Sequence, residues 1–167
     1  MRLFIAIKLN RKMKDHLISM QEDLYAQGFR GNMTKPENMH LTLVFIGDFD
    51  DPDQVIEIID GIRFEPFSLK IEGTGAFGDL WWAGLEKNEA LSALVKKLRH
   101  SLAEAGIPFD RKKFKPHITL IRRAKQVSKP SPRRGAAGKK TPEMTVDHIS
   151  LMRSDRGKGG MVYTELT

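Results

Sequence analysis

The sequence predicts an α+β chain, bilobal and internally duplicated, with a cleft between two related lobes. Three observations carry this. A short pattern occurs twice, His40-Leu41-Thr42-Leu43 and His117-Ile118-Thr119-Leu120, 117 − 40 = 77 residues apart in a chain of 167. Each copy follows a proline-containing lead-in, Lys35-Pro36-Glu37-Asn38-Met39 before the first and Phe114-Lys115-Pro116 before the second. Around the copies, two-residue alternation and helical spacing come in a similar order: strand, helix, strand, motif strand, helix; then strands, helix, motif strand, strands.

The elements are read in turn. Residues 2–9 alternate weakly and are rich in Ile and Phe, which predicts a strand. Asn10 can cap a helix over 11–27, where Met13, Leu17, Met20 and Leu24 recur at helical spacing and Gly28 stops it. Phe29 to Thr34 reads as a short strand, and Pro36-Glu37-Asn38 as a turn. The first motif strand spans 39–46 and ends at Gly47 and an acidic loop, Asp48 to Asp53. Pro52 opens a helix over 52–62 with Val55, Ile56 and Ile59 inward. Residues 66–78 and 80–85 read as strands, the second carrying Trp81-Trp82. Leu91, Leu94, Val95, Leu98 and Leu102 form the stripe of a helix over 88–105, closed by Gly106. The second motif strand is placed at 116–122. Strands at 144–153 and 160–166 are joined by a hairpin turn, Ser154 to Gly159.

Composition bounds the function. One domain, residues 1–167, accounts for the length. There is no cysteine, which excludes disulfides, thiol catalysis and cysteine-based metal sites. The apolar run at the N-terminus is too short for a signal peptide or a membrane span, and no later run reaches membrane length. The expectation is a soluble cytoplasmic protein, a monomer that does not engage membranes. A formal net charge of +7 favours polyanionic partners, nucleic acid first among them. The stretch from Lys125 to Lys140, KQVSKPSPRRGAAGKK, holds six Lys or Arg and no acid. It reads as a solvated basic loop or as an arm that grips phosphates.

On a strand, residues two apart share a face. Each motif therefore turns histidine and threonine to one side and its aliphatic pair to the core. Two imidazoles and two hydroxyls in one cleft suit acid–base chemistry on a phosphate. Near neutrality one imidazole can be neutral and the other protonated, so one takes a proton while the other gives one. A threonine hydroxyl can donate to a phosphoryl oxygen. No Asp, Glu or third His lies within the motifs to complete a metal site, so no metal or other cofactor is expected.

The two motifs resemble the paired His-x-Thr-x motifs of the 2H phosphoesterase superfamily. More narrowly, the chain is similar to bacterial and archaeal RNA 2′,3′-cyclic phosphodiesterases, also called 2′-5′ RNA ligases (LigT type). Arg2-Leu3-Phe4-Ile5-Ala6-Ile7 resembles that family's opening strand, Pro36-Glu37-Asn38-Met39-His40 its lead-in, and Trp82-Ala83-Gly84-Leu85 its middle strand. Ile149-Ser150-Leu151-Met152-Arg153-Ser154 and Tyr163-Thr164-Glu165-Leu166 resemble its closing hairpin. The resemblance implies mainly antiparallel sheets facing a central cleft, with helices outside. It implies metal-independent hydrolysis of RNA 2′,3′-cyclic phosphate ends, including those of tRNA fragments, to 2′-phosphates. His40 is then the proton donor, His117 the proton acceptor, and Thr42 and Thr119 hold phosphate oxygens. The family's arginine, five residues after the second histidine, falls on Arg122. Strict alternation instead puts Arg123 on the face of His117, so Arg122 reaches the phosphate only where the strand ends or bulges. Where the family commonly has Pro-Arg before the middle strand, this chain has Gly78-Asp79.

Other readings use the same residues: 2′-5′ RNA ligation, cleavage of 2′-5′ oligonucleotides, or a basic RNA-binding module that is not an enzyme. Phosphate binding alone would favour Arg or Lys over His. His16, His100 and His148 are expected to be structural or exposed. Trp81-Trp82 is expected to place one ring in the core and one outside.

Overall fold

The computed structural model describes residues 1–129 and 140–167. Its elements are β1 (Arg2–Lys8), α1 (Arg11–Ala26), β2 (Phe29–Met33), a 3-10 turn (Pro36–Asn38), β3 (His40–Asp48), α2 (Pro52–Gly61), β4 (Phe67–Phe77), β5 (Leu80–Leu85), α3 (Glu89–Glu104), β6 (Ile118–Gln126), β7 (Glu143–Val146), β8 (Ser150–Gly157) and β9 (Gly160–Glu165). They form two antiparallel sheets, β3-β1-β8-β9 and β2-β6-β5-β4-β7. The α+β class with two antiparallel sheets agrees with the sequence.

The duplicated unit is smaller than half the chain. It is strand, helix, motif strand: β1-α1-β3 in the first sheet and β5-α3-β6 in the second. In each, the motif strand pairs antiparallel with the strand before the helix. A further strand, β8 or β4, pairs on that strand's other side. The sheets exchange segments. β2, early in the chain, joins the second sheet beside β6, and the C-terminal β8 and β9 complete the first. The expected strand over 144–153 is therefore two strands. β7 pairs with β4 and β8 with β1, and the break at 147–149 is where the chain crosses between sheets.

Two other boundaries differ from the expectation. β8 runs to Gly157 and β9 begins at Gly160, so only Lys158-Gly159 forms the turn. β6 starts at Ile118 and continues to Gln126, which places His117 just ahead of the strand and draws Lys125 and Gln126 into it. Of the rest of the expected basic loop, residues 127–129 and Lys140 are described and 130–139 lie outside the described residues.

The helices form as their caps and stripes dictate. The side chains of Asn10, Asp51 and Asn88 accept from the backbone N–H three residues on, satisfying a donor that the first turn leaves free. Their buried faces, Met13, Leu17 and Leu24 on α1 and Leu91, Leu94, Val95, Leu98 and Leu102 on α3, join one continuous core. Leu3, Ile5 and Ile7 of β1 and Leu41 and Ile118 of the motif strands share it, at 1% exposure or less. No helix of the described residues is long and apolar enough to cross a membrane.

Candidate active site

Each motif strand carries a β-bulge at the same place. Across β1 and β3, Ala6 faces Thr42 but Ile5 faces Val44, so Leu43 is the extra residue. Across β5 and β6, Trp82 faces Thr119 but Trp81 faces Ile121, so Leu120 is extra. Leu43 and Leu120 are the last residues of the two motifs. A bulge shifts side-chain parity by one residue. Leu43 and Val44 are both buried, as are Leu120 and Ile121, and the next residue in each strand, Phe45 or Arg122, turns to the cleft. This resolves the conflict between alternation and the family pattern: Arg122 lines the same cavity as the motif histidines and threonines.

Gln21 supports the second bulge. This buried side chain of α1 donates to the carbonyls of Leu120 and Thr34, each at 2.9 Å. The Thr34 N–H also donates to the Leu120 carbonyl, at 3.0 Å. The acceptor that the bulge removes from the ladder is thus paired, as a buried carbonyl must be. Gln21 was not singled out from sequence, because a polar residue on a helix stripe looks like a solvated position.

Both imidazoles are anchored alike. His40 Nδ1 donates to the Asn38 carbonyl at 2.7 Å, and His117 Nδ1 to the Lys115 carbonyl at 2.6 Å. A carbonyl only accepts, so each Nδ1 carries a hydrogen and each Nε2 is left to exchange a proton. His40 Nε2 accepts from the Thr42 hydroxyl at 2.8 Å. Aromatic rings pack on both. Phe4 and Tyr163 stand 4.9 and 5.1 Å from the His40 ring, Phe77 and Trp82 5.1 and 6.5 Å from the His117 ring. Of the two tryptophans, Trp81 packs on the core beside Phe29, while Trp82 lies alongside His117. Gly75 makes room for Trp82, because a Cβ there would lie 2.5 Å from its ring.

Burial holds the His40 pKa below that of free histidine. The Asn38 carbonyl opposes this, while the Arg122 charge and the neighbouring His117 ring act in the same direction as burial. His40 is therefore neutral at physiological pH before a ligand enters.

A cavity of about 830 Å³ holds His40, Thr42, His117, Thr119 and Arg122 together. Its walls add Lys35, Asn38, Arg123, Arg156 and Tyr163 and include no carboxylate. A smaller extension of about 280 Å³ continues past Thr42 to Arg2, Phe4 and Phe45. A cleft with several cations and no acid favours an anion. Sequence reasoning missed Arg156 and Tyr163, which the β8–β9 hairpin delivers. Two bonds tie that hairpin to the first lead-in: Lys35 Nζ donates to the Gly159 carbonyl at 2.9 Å, and Asn38 Nδ2 to the Met161 carbonyl at 3.0 Å.

His16, His100 and His148 lie outside the cavity walls. His100 pairs with Glu104 on an exposed face of α3. Gly78-Asp79 forms the β4–β5 turn, where the Asp79 carbonyl accepts from the Ala124 N–H at 2.9 Å. Among the described residues no three of His, Asp and Glu gather as a metal site.

Comparison with known proteins places this geometry. Residues 19–158 match the model of the 2′-5′ RNA ligase superfamily. An RNA 2′,3′-cyclic phosphodiesterase of Thermotoga maritima is 36% identical over 132 residues, covering 73% of this chain and 70% of that protein. A protein of the same name from Thermus thermophilus is 33% identical over 188 residues, covering 99% and 88%. The crystal structure of E. coli LigT complexed with 3′-AMP is similar with a TM-score of 0.81 at 26% identity, covering 99% of this chain and 95% of that one.

Proposed function

The chain belongs to the 2′-5′ RNA ligase superfamily, and from that premise we propose that it hydrolyses RNA 2′,3′-cyclic phosphate ends to 2′-phosphates by acid–base catalysis between His40 and His117. The observation that carries this is the matched pair of imidazoles. His40 opens β3 and His117 immediately precedes β6, strands of two different sheets; each has Nδ1 fixed by a carbonyl two residues back, and both line one cationic cavity. The relatives named RNA 2′,3′-cyclic phosphodiesterase, 36% and 33% identical, supply the substrate class.

The step balances on the chain's own groups. His117 Nε2 takes a proton from water as the water oxygen attacks phosphorus. The bond from phosphorus to the 3′ oxygen breaks, and His40 Nε2 gives that oxygen a proton. The product carries a 2′-phosphate and a free 3′ hydroxyl. Thr42, Thr119 and Arg122 donate to the non-bridging oxygens, where charge builds in the transition state. His40 must be protonated to act as donor although burial favours its neutral form. An arriving phosphate supplies the negative charge that stabilises the imidazolium. The donor and acceptor roles are those the family resemblance implies. Because the two lobes of the cleft come from one chain, a monomer suffices for the reaction.

The test is hydrolysis of a nucleoside 2′,3′-cyclic phosphate. The wild type should hydrolyse it, and H40A and H117A, still folded, should each lose about 10²–10⁴-fold in kcat, the usual contribution of a general acid or base. Retained activity in either variant overturns the assignment. The same site would join ends through a 2′-5′ link if a 5′ hydroxyl replaced water as the nucleophile and expelled the same 3′ oxygen, and an assay of tRNA-half joining against hydrolysis separates the two.

A further inference from the structure

We propose that Lys35, Arg123 and Arg156 form a second phosphate subsite, which takes the phosphodiester on the 5′ oxygen of the terminal ribose. This rests on the cyclic-end reading above and names what holds the RNA beyond the reacting phosphate.

The backbone at Arg123 is the first indication. Consecutive residues of a regular strand face opposite sides, yet Arg122 and Arg123 both line the cavity. Arg123 has φ 53°, alone among the described non-glycine residues in being positive. A bulky side chain in that left-handed region is uncommon and strained, and such strain persists where the surroundings enforce it, often at ligand sites. The enforcing partner is β2. Its register against β6 slips between Arg30 and Asn32, and a Cβ on Gly31 would lie 2.7 Å from the carbonyl oxygens of both arginines. The sheet edge is thus shaped to bring two guanidinium groups to one cleft.

The other two cations come from separate segments. Arg156 stands near the end of β8, and Lys35 in the first lead-in, held to the hairpin tip through the Gly159 carbonyl. Neither Arg123 nor Arg156 has a carboxylate partner among the described residues. The chemistry at the reacting phosphate uses Arg122, the two threonines and the two histidines, and leaves these three charges unused. An RNA end offers one more fixed anion close by, the phosphodiester of its last internucleotide link. Guanidinium groups suit it because their forked donors match phosphate oxygens.

Adenosine 2′-phosphate and adenosine 2′,5′-bisphosphate differ only in the 5′ phosphate. Titration calorimetry on the full chain should show the bisphosphate binding about tenfold or more tighter, as expected of one or two charge-assisted bonds. R123A and R156A, on different strands, should each bring the ratio toward one. The same variants should raise the KM of a dinucleotide with a 2′,3′-cyclic end relative to that of a nucleoside 2′,3′-cyclic phosphate. Equal binding of the two probes by wild type overturns the subsite, as does a ratio that survives both substitutions. Since the binding ratio needs no turnover, a wild type that prefers the bisphosphate yet hydrolyses no cyclic phosphate would sink the proposed reaction and leave the subsite standing.

Discussion

Gly31→Ala tests whether the slip between β2 and β6 aims the arginines. An alanine Cβ would stand 2.7 Å from the carbonyl oxygens of Arg122 and Arg123, about 0.7 Å short of the 3.4 Å at which ordinary contact begins. Both obstacles are backbone and cannot swing aside, so β6 must move, carrying Arg122 with it. A displacement near 1 Å at a catalytic group costs about 100-fold, so we expect kcat/KM on a nucleoside 2′,3′-cyclic phosphate to fall about 10- to 100-fold. Overpacking of this kind also costs about 1–3 kcal/mol of stability. At about 2–4 °C per kcal/mol for a chain this size, Tm should drop by about 2–12 °C. Gly61→Ala is the control, because nothing lies within 4 Å of a Cβ there. A G31A protein with wild-type kcat/KM and Tm would refute the reasoning, since β6 would then have yielded without moving its arginines.

Four further outcomes follow from the site. Thr42→Val removes a hydroxyl from His40 and from the phosphate, and should lower kcat/KM about 10²–10³-fold, the cost of losing one such donor; Thr119→Val should cost a similar factor, and an unchanged rate in both would remove the threonines from the mechanism. Because His40 is held neutral, the unfolded chain binds more protons than the folded one at mildly acid pH. Its contribution to stability is whole above about pH 6.5 and is lost as pH falls through its lowered folded pKa, so the gap in Tm between wild type and H40Q should close on acidification. NMR titration of the His40 ring should give a value below that of free histidine, which Arg122→Ala raises; a downward move contradicts the assigned charge effect. Gln21→Leu removes the side-chain donor to the Leu120 and Thr34 carbonyls and should destabilise by about 1–3 kcal/mol in urea unfolding, whereas an unchanged midpoint would show that the bulge does not need it.

Much of this was legible in the chain because local rules carry it. Met13, Leu17 and Leu24 mark the buried face of α1, and Asn10 its cap, by spacing and side-chain chemistry alone. The pairing of His and Thr on one side, with Leu41 and Ile118 inward, follows from the pleat. Arg122 was the instructive case. Alternation alone turns it away from His117, and only the cross-strand register, in which Trp82 meets Thr119 and Trp81 meets Ile121, shows the extra residue that turns it back. A bulge depends on which strand lies alongside, and one strand's sequence does not contain that. The same reason hid Arg156 and Tyr163: their part in the cavity depends on a hairpin more than a hundred residues from the first motif folding back beside it.

The sequence by itself determined the elements, the repeated His-x-Thr pattern and the phosphate chemistry those residues suit, because these depend on periodicity and side-chain type. The tertiary structure decided how the lobes are shared out, with β2 given to the second sheet and β8 and β9 to the first. It also decided which arginines line the cavity and that burial lowers the His40 pKa. Those outcomes are set by register and burial between segments distant in the chain, which no local pattern records.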